Sequence, residues 1–275
     1  MDDFEPIAEA FSRKARLYDE FGSDHPNLDH IRHKVYRHLL TYHPPGKRLL
    51  EINAGTGADA VYLARQGLYV HATDIAPGML AAISQKVEAQ GLQERVTIQE
   101  CSFTDLERVT GGPYDGIFSN LGGLNCTRDL RAITRKLPEV LKPGAYVTWV
   151  IMPRVCLWEL SAALRGDLRT AVRRLKPGGT IANVEGVLFP AYYYFPGDVR
   201  RAFSQDFQPI RLQGLSVFTP PVDHKGFATK WPRLYSWLRW LESCLADRPP
   251  FNRLGDFYIL TMRYLPSSSA GGLSV

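Results

Sequence analysis

Residues 49–60, LLEINAGTGADA, run from apolar side chains into a turn of very small ones, with one carboxylate, Glu51, just ahead of them. Gly55, Gly57 and Ala60 fit G-x-G-x-x-[GA] where a strand hands over to a helix, and Asp74 ends the next apolar run, YVHATD. Small residues let a backbone approach a ligand, and an acid at that distance suits the hydroxyls of a ribose. Together they point to a nucleoside-bearing cofactor at the carboxyl ends of the strands. The plainer alternative is that the glycines only let a helix pack closely on a strand, which leaves Asp74 unexplained.

The spacing alone does not separate a nicotinamide dinucleotide from S-adenosylmethionine. A dinucleotide sets an anionic diphosphate over such a turn, where helix N–H groups favour it. S-adenosylmethionine carries an ammonium and a sulfonium instead. An acid at the lip of the turn opposes the first and suits the second, and at ~4 Å that attraction is worth about 1–4 kcal/mol. The expectation is therefore that Glu51 stands at the lip and selects the cationic cofactor.

The elements that would hold these residues follow from periodicity. Phe4, Ile7, Phe11, Ala15 and Tyr18 recur at helical spacing, and so do Leu28, Ile31, Val35, Leu39 and Tyr42. From residue 48 strands and helices alternate. RLLEIN, YVHATD, RVTIQECS, YDGIFSN and AYVTWVIM read as strands, and GADAVYLARQG, PGMLAAISQKVEAQG and TRDLRAITRKLPEVLKPG as helices. Such alternation predicts an α/β fold with a parallel sheet covered on both faces. After Met152 the pattern breaks. RVCLWELSAALRGDLRTAVRRLK reads as one or two helices, TIANVEGVLFPAYYYF as two short strands around Gly186, and GDVRRAF as a short helix. FQPIRLQGLSVF and DFYILTMRY are strand-like, and between them WPRLYSWLRWLESCLAD is amphipathic, with Leu234, Trp237, Leu238, Leu241 and Leu245 on one face.

Composition sets bounds. The 275 residues are 45% hydrophobic and 22% charged, as in a globular protein. No apolar run is long enough to span a membrane, the N-terminus lacks the pattern of a secretion signal, and no membrane partner is expected. Cys101, Cys126, Cys156 and Cys244 form no CxxC pair, so neither a metal nor a disulfide framework is expected, and a cytoplasmic setting follows. Residues 1–150 hold 17 basic and 19 acidic side chains, and residues 151–275 hold 16 and 9. The basic second half suits an acidic partner or, more plainly, solvated helix faces; without interleaved aromatics no nucleic acid is expected.

The stretch LLEINAGTGADAVYLARQGLYVHATDIAPGML resembles the cofactor-binding start of class I S-adenosylmethionine-dependent methyltransferases, and is similar in particular to the small-molecule enzymes of ubiquinone and menaquinone biosynthesis. The likeness lies in the acid-x-x-x-Gly-x-Gly turn, the acid ending the second strand and the Pro-Gly-Met-Leu helix start. It covers roughly residues 10–150 well and continues more loosely to the end. It implies a Rossmann-like, doubly wound seven-stranded sheet of order 3-2-1-4-5-7-6 with the last strand antiparallel, N-terminal helices and an insert after strand 5. One domain over 1–265 is then expected, divided into a helical lid (1–45), a cofactor-binding core (46–152), a substrate-side insert (153–205) and the last strands and helix (206–265), with a disordered tail at 266–275.

The resemblance also implies roles. Glu51, Asn53, Ala54, Gly55 and Gly57 would line the methionine part of S-adenosylmethionine, with Asn53 standing where Gly or Asp is more usual. Asp74 would hold the ribose, and Ile75 and Met79 would pack near the adenine. The family often places an Asp after strand 3; here ECSFTDL offers Ser102 and Phe103 instead. Asn120, Leu121 and Asn125, after strand 4, would meet cofactor and acceptor, and Tyr18 looks like a lid tyrosine. Product S-adenosylhomocysteine would leave the same site.

The acceptor expected is a small organic molecule, methylated by in-line displacement. An RNA or protein acceptor, an NAD-dependent oxidoreductase and a non-catalytic scaffold are the competing readings. His224 and His25 are candidate bases. Tyr192 and Tyr194, which strand alternation would aim the same way, are candidates to stack on an aromatic acceptor. A monomer or homodimer is expected.

Overall fold

A computed structural model describes residues 4–22 and 24–266; from Ser267 onward the tail expected at 266–275 lies outside the described residues. Two helices, α1 (Glu5–Gly22) and α2 (Pro26–Tyr42), precede β1 (Arg48–Ile52). The alternating part continues as α3 (Ala58–Arg65), β2 (Tyr69–Asp74), α4 (Pro77–Ala89), β3 (Val96–Glu100), β4 (Tyr114–Ser119), α5 (Leu130–Thr134), α6 (Leu137–Val140) and β5 (Leu141–Ile151). The insert holds α7 (Leu157–Leu160), α8 (Leu168–Val172), β6 (Thr180–Val184), β7 (Val187–Ala191) and α9 (Pro196–Ala202). Then come β8 (Phe207–Leu215), α10 (Phe227–Lys230), α11 (Pro232–Leu245) and β9 (Phe257–Tyr264).

The main sheet has the order β3-β2-β1-β4-β5-β9-β8, and β6-β7 stand apart as a two-stranded sheet. The first five strands pair in parallel, and β9 runs antiparallel to both β5 and β8. This is the expected order, with β8 and β9 as the sixth and seventh strands. Each strand feeds two apolar layers because successive side chains face opposite ways. Leu50 and Ile52 join Ile117, Trp149 and Leu260 on one side. Leu49 joins Ile31 and Val35 of α2, Leu63 of α3 and Ile259 on the other. Fully burying one such side chain contributes about 1.5–3 kcal/mol, so the two layers carry the fold. Glu51 shares the parity of Leu49 and therefore points toward α2 and α3.

Two expected elements differ. The single helix over TRDLRAITRKLPEVLKPG is two short ones. Asp129 caps α5 by accepting from the backbone N–H of Arg131, and Pro138, which has no N–H to give, opens α6. The fifth strand starts at Leu141, with a register shift against β4 between Tyr114 and Gly116. In the insert, Gly166 at φ 81° ends the first helical stretch and Asp167 caps α8. The two strands around Gly186 form as expected, with Glu185 and Gly186 both left-handed in a two-residue turn.

Long contacts fasten the outer pieces. α1 lies so close to α4 that a Cβ on Gly78 would stand 2.7 Å from the Ser12 carbonyl oxygen. In α11, Glu242 is buried and takes hydrogen bonds from Lys34 Nζ (2.9 Å), the Ser216 N–H (3.0 Å), and the Thr219 N–H (2.9 Å) and hydroxyl (2.7 Å). The insert is pinned by Arg174, whose guanidinium donates to Glu159 (2.6 Å) and to the Asp256 carboxylate (2.6 Å) and carbonyl (2.9 Å), and lies 5.2 Å over the Tyr193 ring. Cys156, Glu159 and Asp256 lie close enough to share a cation, and the Arg174 guanidinium supplies that charge.

Candidate functional site

The chain leaves β1 through Asn53 (φ 61°), Gly55 (φ 56°) and Gly57 (φ 75°), all left-handed. Gly55 faces open space, whereas a Cβ on Gly57 would meet Ile83 of α4 at 3.0 Å. The two glycines thus do different work: Gly55 frees a surface, and Gly57 lets α3 and α4 close up. Asp74, at the end of β2, is anchored by the backbone. Its Oδ2 accepts from the Gly55 N–H and its Oδ1 from the Ala76 N–H, both at 2.9 Å. Burial raises its pKa, opposed by these N–H donors. Each carboxylate oxygen keeps a second lone pair for a ligand.

These residues border a cavity of about 250 Å³. Gly55, Asp74, Asn53, Asn120 and Gly123 line it together with Tyr18, Leu121, Met79 and Phe103. Its apolar end is built from Ile7 and Phe11 of α1, Ala182 and Val184 of β6 and Phe189 of β7, and runs on into Ile75 and, through Phe11, to Met79. Asp74 is the one charged residue in this wall among the described residues. A smaller recess of about 30 Å³ shares Tyr18, Asn53, Gly55, Asn120 and Leu121, and adds Arg32, Ala54, Thr56 and Asp59. Asp59 accepts from the Tyr36 hydroxyl (2.5 Å) and the Asn120 amide (2.7 Å), with Arg32 Nε at 3.7 Å. The recess therefore offers a cation and an anion side by side, as an amino-acid zwitterion requires.

Of the expected cofactor residues, Tyr18, Asn53, Gly55, Asp74, Ile75, Met79, Phe103, Asn120, Leu121 and Asn125 border the cavity, and Ala54 borders the recess. Gly57 packs against Ile83 instead. Ser102 lies outside the wall, its hydroxyl paired with Thr104 at 2.8 Å. Asn125 is a wall residue with a structural task. Its amide bonds Met152 and Tyr192 and so ties the end of β5 to the chain leaving β7.

Glu51 requires a correction. It is not at the lip but sealed beneath the turn, as its parity with Leu49 dictates. Burial, then Asp59 and Asp74, push its pKa well above the usual carboxylate range. Sealed away from the cavity, Glu51 does not face a ligand at the lip, and Asp74 is the acid that borders the cavity.

None of the four candidate catalytic side chains borders the cavity. His25 is buried and caps α2 by accepting from the Leu28 N–H. His224 is exposed, with its ring 5.3 Å from Trp158. Tyr192 is half-buried outside the wall, and the Tyr194 hydroxyl donates to the Thr127 carbonyl. The residues that sequence reasoning missed are Arg32, Asp59 and the apolar end. Strand alternation held the signal for part of that end, since Ala182 and Val184 share one face of β6 and Ala182 lies opposite Phe189 across the hairpin. Arg32 and Asp59 come together only when α2 packs on α3.

Residues 49–144 match the family model described as a methyltransferase domain. Among curated relatives, a tRNA 5-carboxymethoxyuridine methyltransferase of Escherichia coli (strain K12) is 26% identical over 147 residues, which are 53% of this chain and 54% of that one. A demethylmenaquinone methyltransferase of Corynebacterium glutamicum (strain R) is 28% identical over 146 residues, 49% of this chain and 57% of that one. The chain thus spans about half the length of the curated relatives it matches. Among solved structures, the 1,6-didemethyltoxoflavin-N1-methyltransferase of Burkholderia thailandensis, crystallised with 1,6-didemethyltoxoflavin and S-adenosylhomocysteine, superposes with a TM-score of 0.55 at 16% identity, over 95% of this chain and 88% of that one. At that identity the likeness is one of fold.

Proposed function

From the methyltransferase domain that residues 49–144 form, we propose that the chain moves a methyl group from S-adenosylmethionine to a small, largely apolar organic acceptor. The observation that carries this is a cavity and an adjoining recess that together offer three chemistries. A zwitterion site lies at Arg32 and Asp59, a backbone-anchored carboxylate at Asp74, and an apolar end beneath the β6–β7 hairpin. In this reading Asp74 holds the ribose hydroxyls, and Ile75, Met79 and Phe103 flank the adenine. Arg32 takes the cofactor carboxylate, while Asp59 with Asn120 faces its ammonium. Tyr18 on α1 and Asn53 close over the middle. These residues fit S-adenosylmethionine because its ammonium meets Asp59, its carboxylate meets Arg32 and its ribose hydroxyls meet Asp74.

When bound, S-adenosylmethionine supplies an activated methyl carbon on a sulfonium, open to in-line displacement by an acceptor lone pair. The chain's part is to hold the acceptor in line and keep water out, which orientation can reward with ~7–11 kcal/mol. Phe11, Phe189 and Met152 provide the apolar grip. The wall holds no histidine, and the Cys126 thiol is pushed up to about 12, chiefly by burial. An acceptor that is already nucleophilic, and gives up any proton to solvent afterwards, is the one this wall serves. A polyanionic acceptor is disfavoured, because among the described residues no cation lines the cavity.

Two tests follow. Asp74→Ala should weaken S-adenosylmethionine binding by about 1–3 kcal/mol, the worth of hydrogen bonds to a charged partner. Calorimetry reads this, and unchanged affinity, or NADH binding more tightly than S-adenosylmethionine, counts against the assignment. Phe189→Ala should slow methyl transfer by on the order of a hundredfold, as loosened acceptor placement can, with cofactor affinity kept within severalfold. Loss of both together would show that the hairpin serves folding rather than the acceptor.

A further inference from the structure

The outer face of α11 is not the surface of an ordinary solvated helix. Tyr235 and Glu242 turn inward, which leaves Leu234 (44%), Trp237 (53%) and Trp240 (60%) exposed, with Trp231 (52%) just before the helix. The apolar face expected from sequence is therefore split, with Leu234 and Trp237 looking outward and Trp240, which that face did not include, exposed beside them. Between Lys225 and Ser243 every exposed charged side chain is a cation: Lys225, Lys230, Arg233 and Arg239. The single acid of the helix, Glu242, is buried against Lys34. A groove beside Trp240 is lined by Arg37 of α2 and by Arg239.

Exposed tryptophan with interleaved arginine and lysine is the chemistry of an interfacial helix. The indole ring is amphipathic and settles between headgroup and acyl chain, while the cations meet headgroup phosphates. We propose that this face of α11 docks on an anionic lipid surface, with Trp237 and Trp240 seated at the boundary and Lys230, Arg233 and Arg239 facing the phosphates. No described helix is long and apolar enough to cross a membrane, so the association is one of surface only. Charge selects this occupant over a second copy of the chain, because two such faces laid together would set cation against cation. The surface also adjoins the insert, since Trp158 packs edge-on to Phe227 of α10 at 5.8 Å. The proposal stands independently of methyl transfer.

The test uses the full chain with phosphatidylcholine vesicles, with and without phosphatidylglycerol. The chain should sediment with the anionic vesicles only, its tryptophan emission should shift to the blue, and added salt should release it. Replacing Trp237→Ser and Trp240→Ser together should weaken binding on the order of tenfold or more, by the apolar area withdrawn. Arg233→Gln should weaken it about fivefold, the share of one surface cation near an anionic leaflet. Both changes lie at exposed positions, so an unchanged melting temperature checks the fold. Failure to bind anionic vesicles overturns the proposal, as does equal binding to neutral ones. So does a dimer, or salt-sensitive RNA binding, that the double tryptophan change abolishes while vesicle binding persists.

Discussion

Glu242→Ala is expected to cost about 3–5 kcal/mol of folding stability, the range for breaking a buried ion pair from one side. Three things are lost at once. Lys34, itself buried, is left as an uncompensated charge, the N–H groups of Ser216 and Thr219 lose their acceptor, and α11 loses its fastening to α2. Burial alone would raise the Glu242 pKa, but Lys34 and the Thr219 donors outweigh it and hold it low. The carboxylate is therefore ionised near neutrality. For a chain of this size the change corresponds to a fall in melting temperature of roughly 10 °C. Pairing Glu242→Gln with Lys34→Met should recover part of the loss, because no buried charge then stands alone. A single substitution costing under 1 kcal/mol by denaturant melts would show that the pair does not hold the helix.

His38→Asn should remove about 3 kcal/mol of pH-dependent stability. The His38 Nε2 lies 2.6 Å from the Thr261 hydroxyl across the α2–β9 contact. Its pKa falls from 6.5 to about 4, first through burial and then through Arg211, with Asp247 acting in the opposite sense. His43, buried behind Gly116, falls likewise to about 4, through burial and then Lys47, opposed by Asp115. A histidine depressed in the folded state binds its proton only on unfolding. Its contribution is complete above pH 6.5 and is lost as the pH falls toward 4. At about 1.36 kcal/mol per unit, each of these histidines carries about 3 kcal/mol across that window. Glu51, Asp74 and Asp256, raised chiefly by burial, work in the opposite direction, so the comparison with the variant isolates the histidine. The gap in stability between parent and variant should close by about 3 kcal/mol from pH 7 to pH 4. A gap independent of pH would mean that His38 titrates alike in the folded and unfolded chain.

Much of the architecture was legible because periodicity reports which face of an element is covered. The glycine spacing and Asp74 located the turn, and the structure sets Asp74 in the wall of the cavity. What remained hidden depends on packing between distant segments. The period of β1 already assigned Glu51 to the buried face of Leu49, yet its carboxylate suggested a lip. Arg32 and Asp59 come from separate helices and carry no joint spacing. His25 fills a cap and Tyr194 a carbonyl bond, tasks that no local pattern announces. In α11 an apolar stripe was plain, but a buried glutamate with its lysine outweighed it and set the helix's rotation.

The insert is buckled at two places. Arg174 holds its helical half to Asp256, and the Asn125 amide holds the strand leaving β7. Between the buckles the strap turns at Glu185–Gly186, with Val184, Val187 and Phe189 beside the bend packed against Ile7 and Ala10 of α1. An acceptor drawn into the proposed reaction would pass beneath that bend while the rest of the strap stays fastened. The length of the hairpin arms, set by the distance from each buckle to the bend, would then decide how bulky an acceptor is admitted.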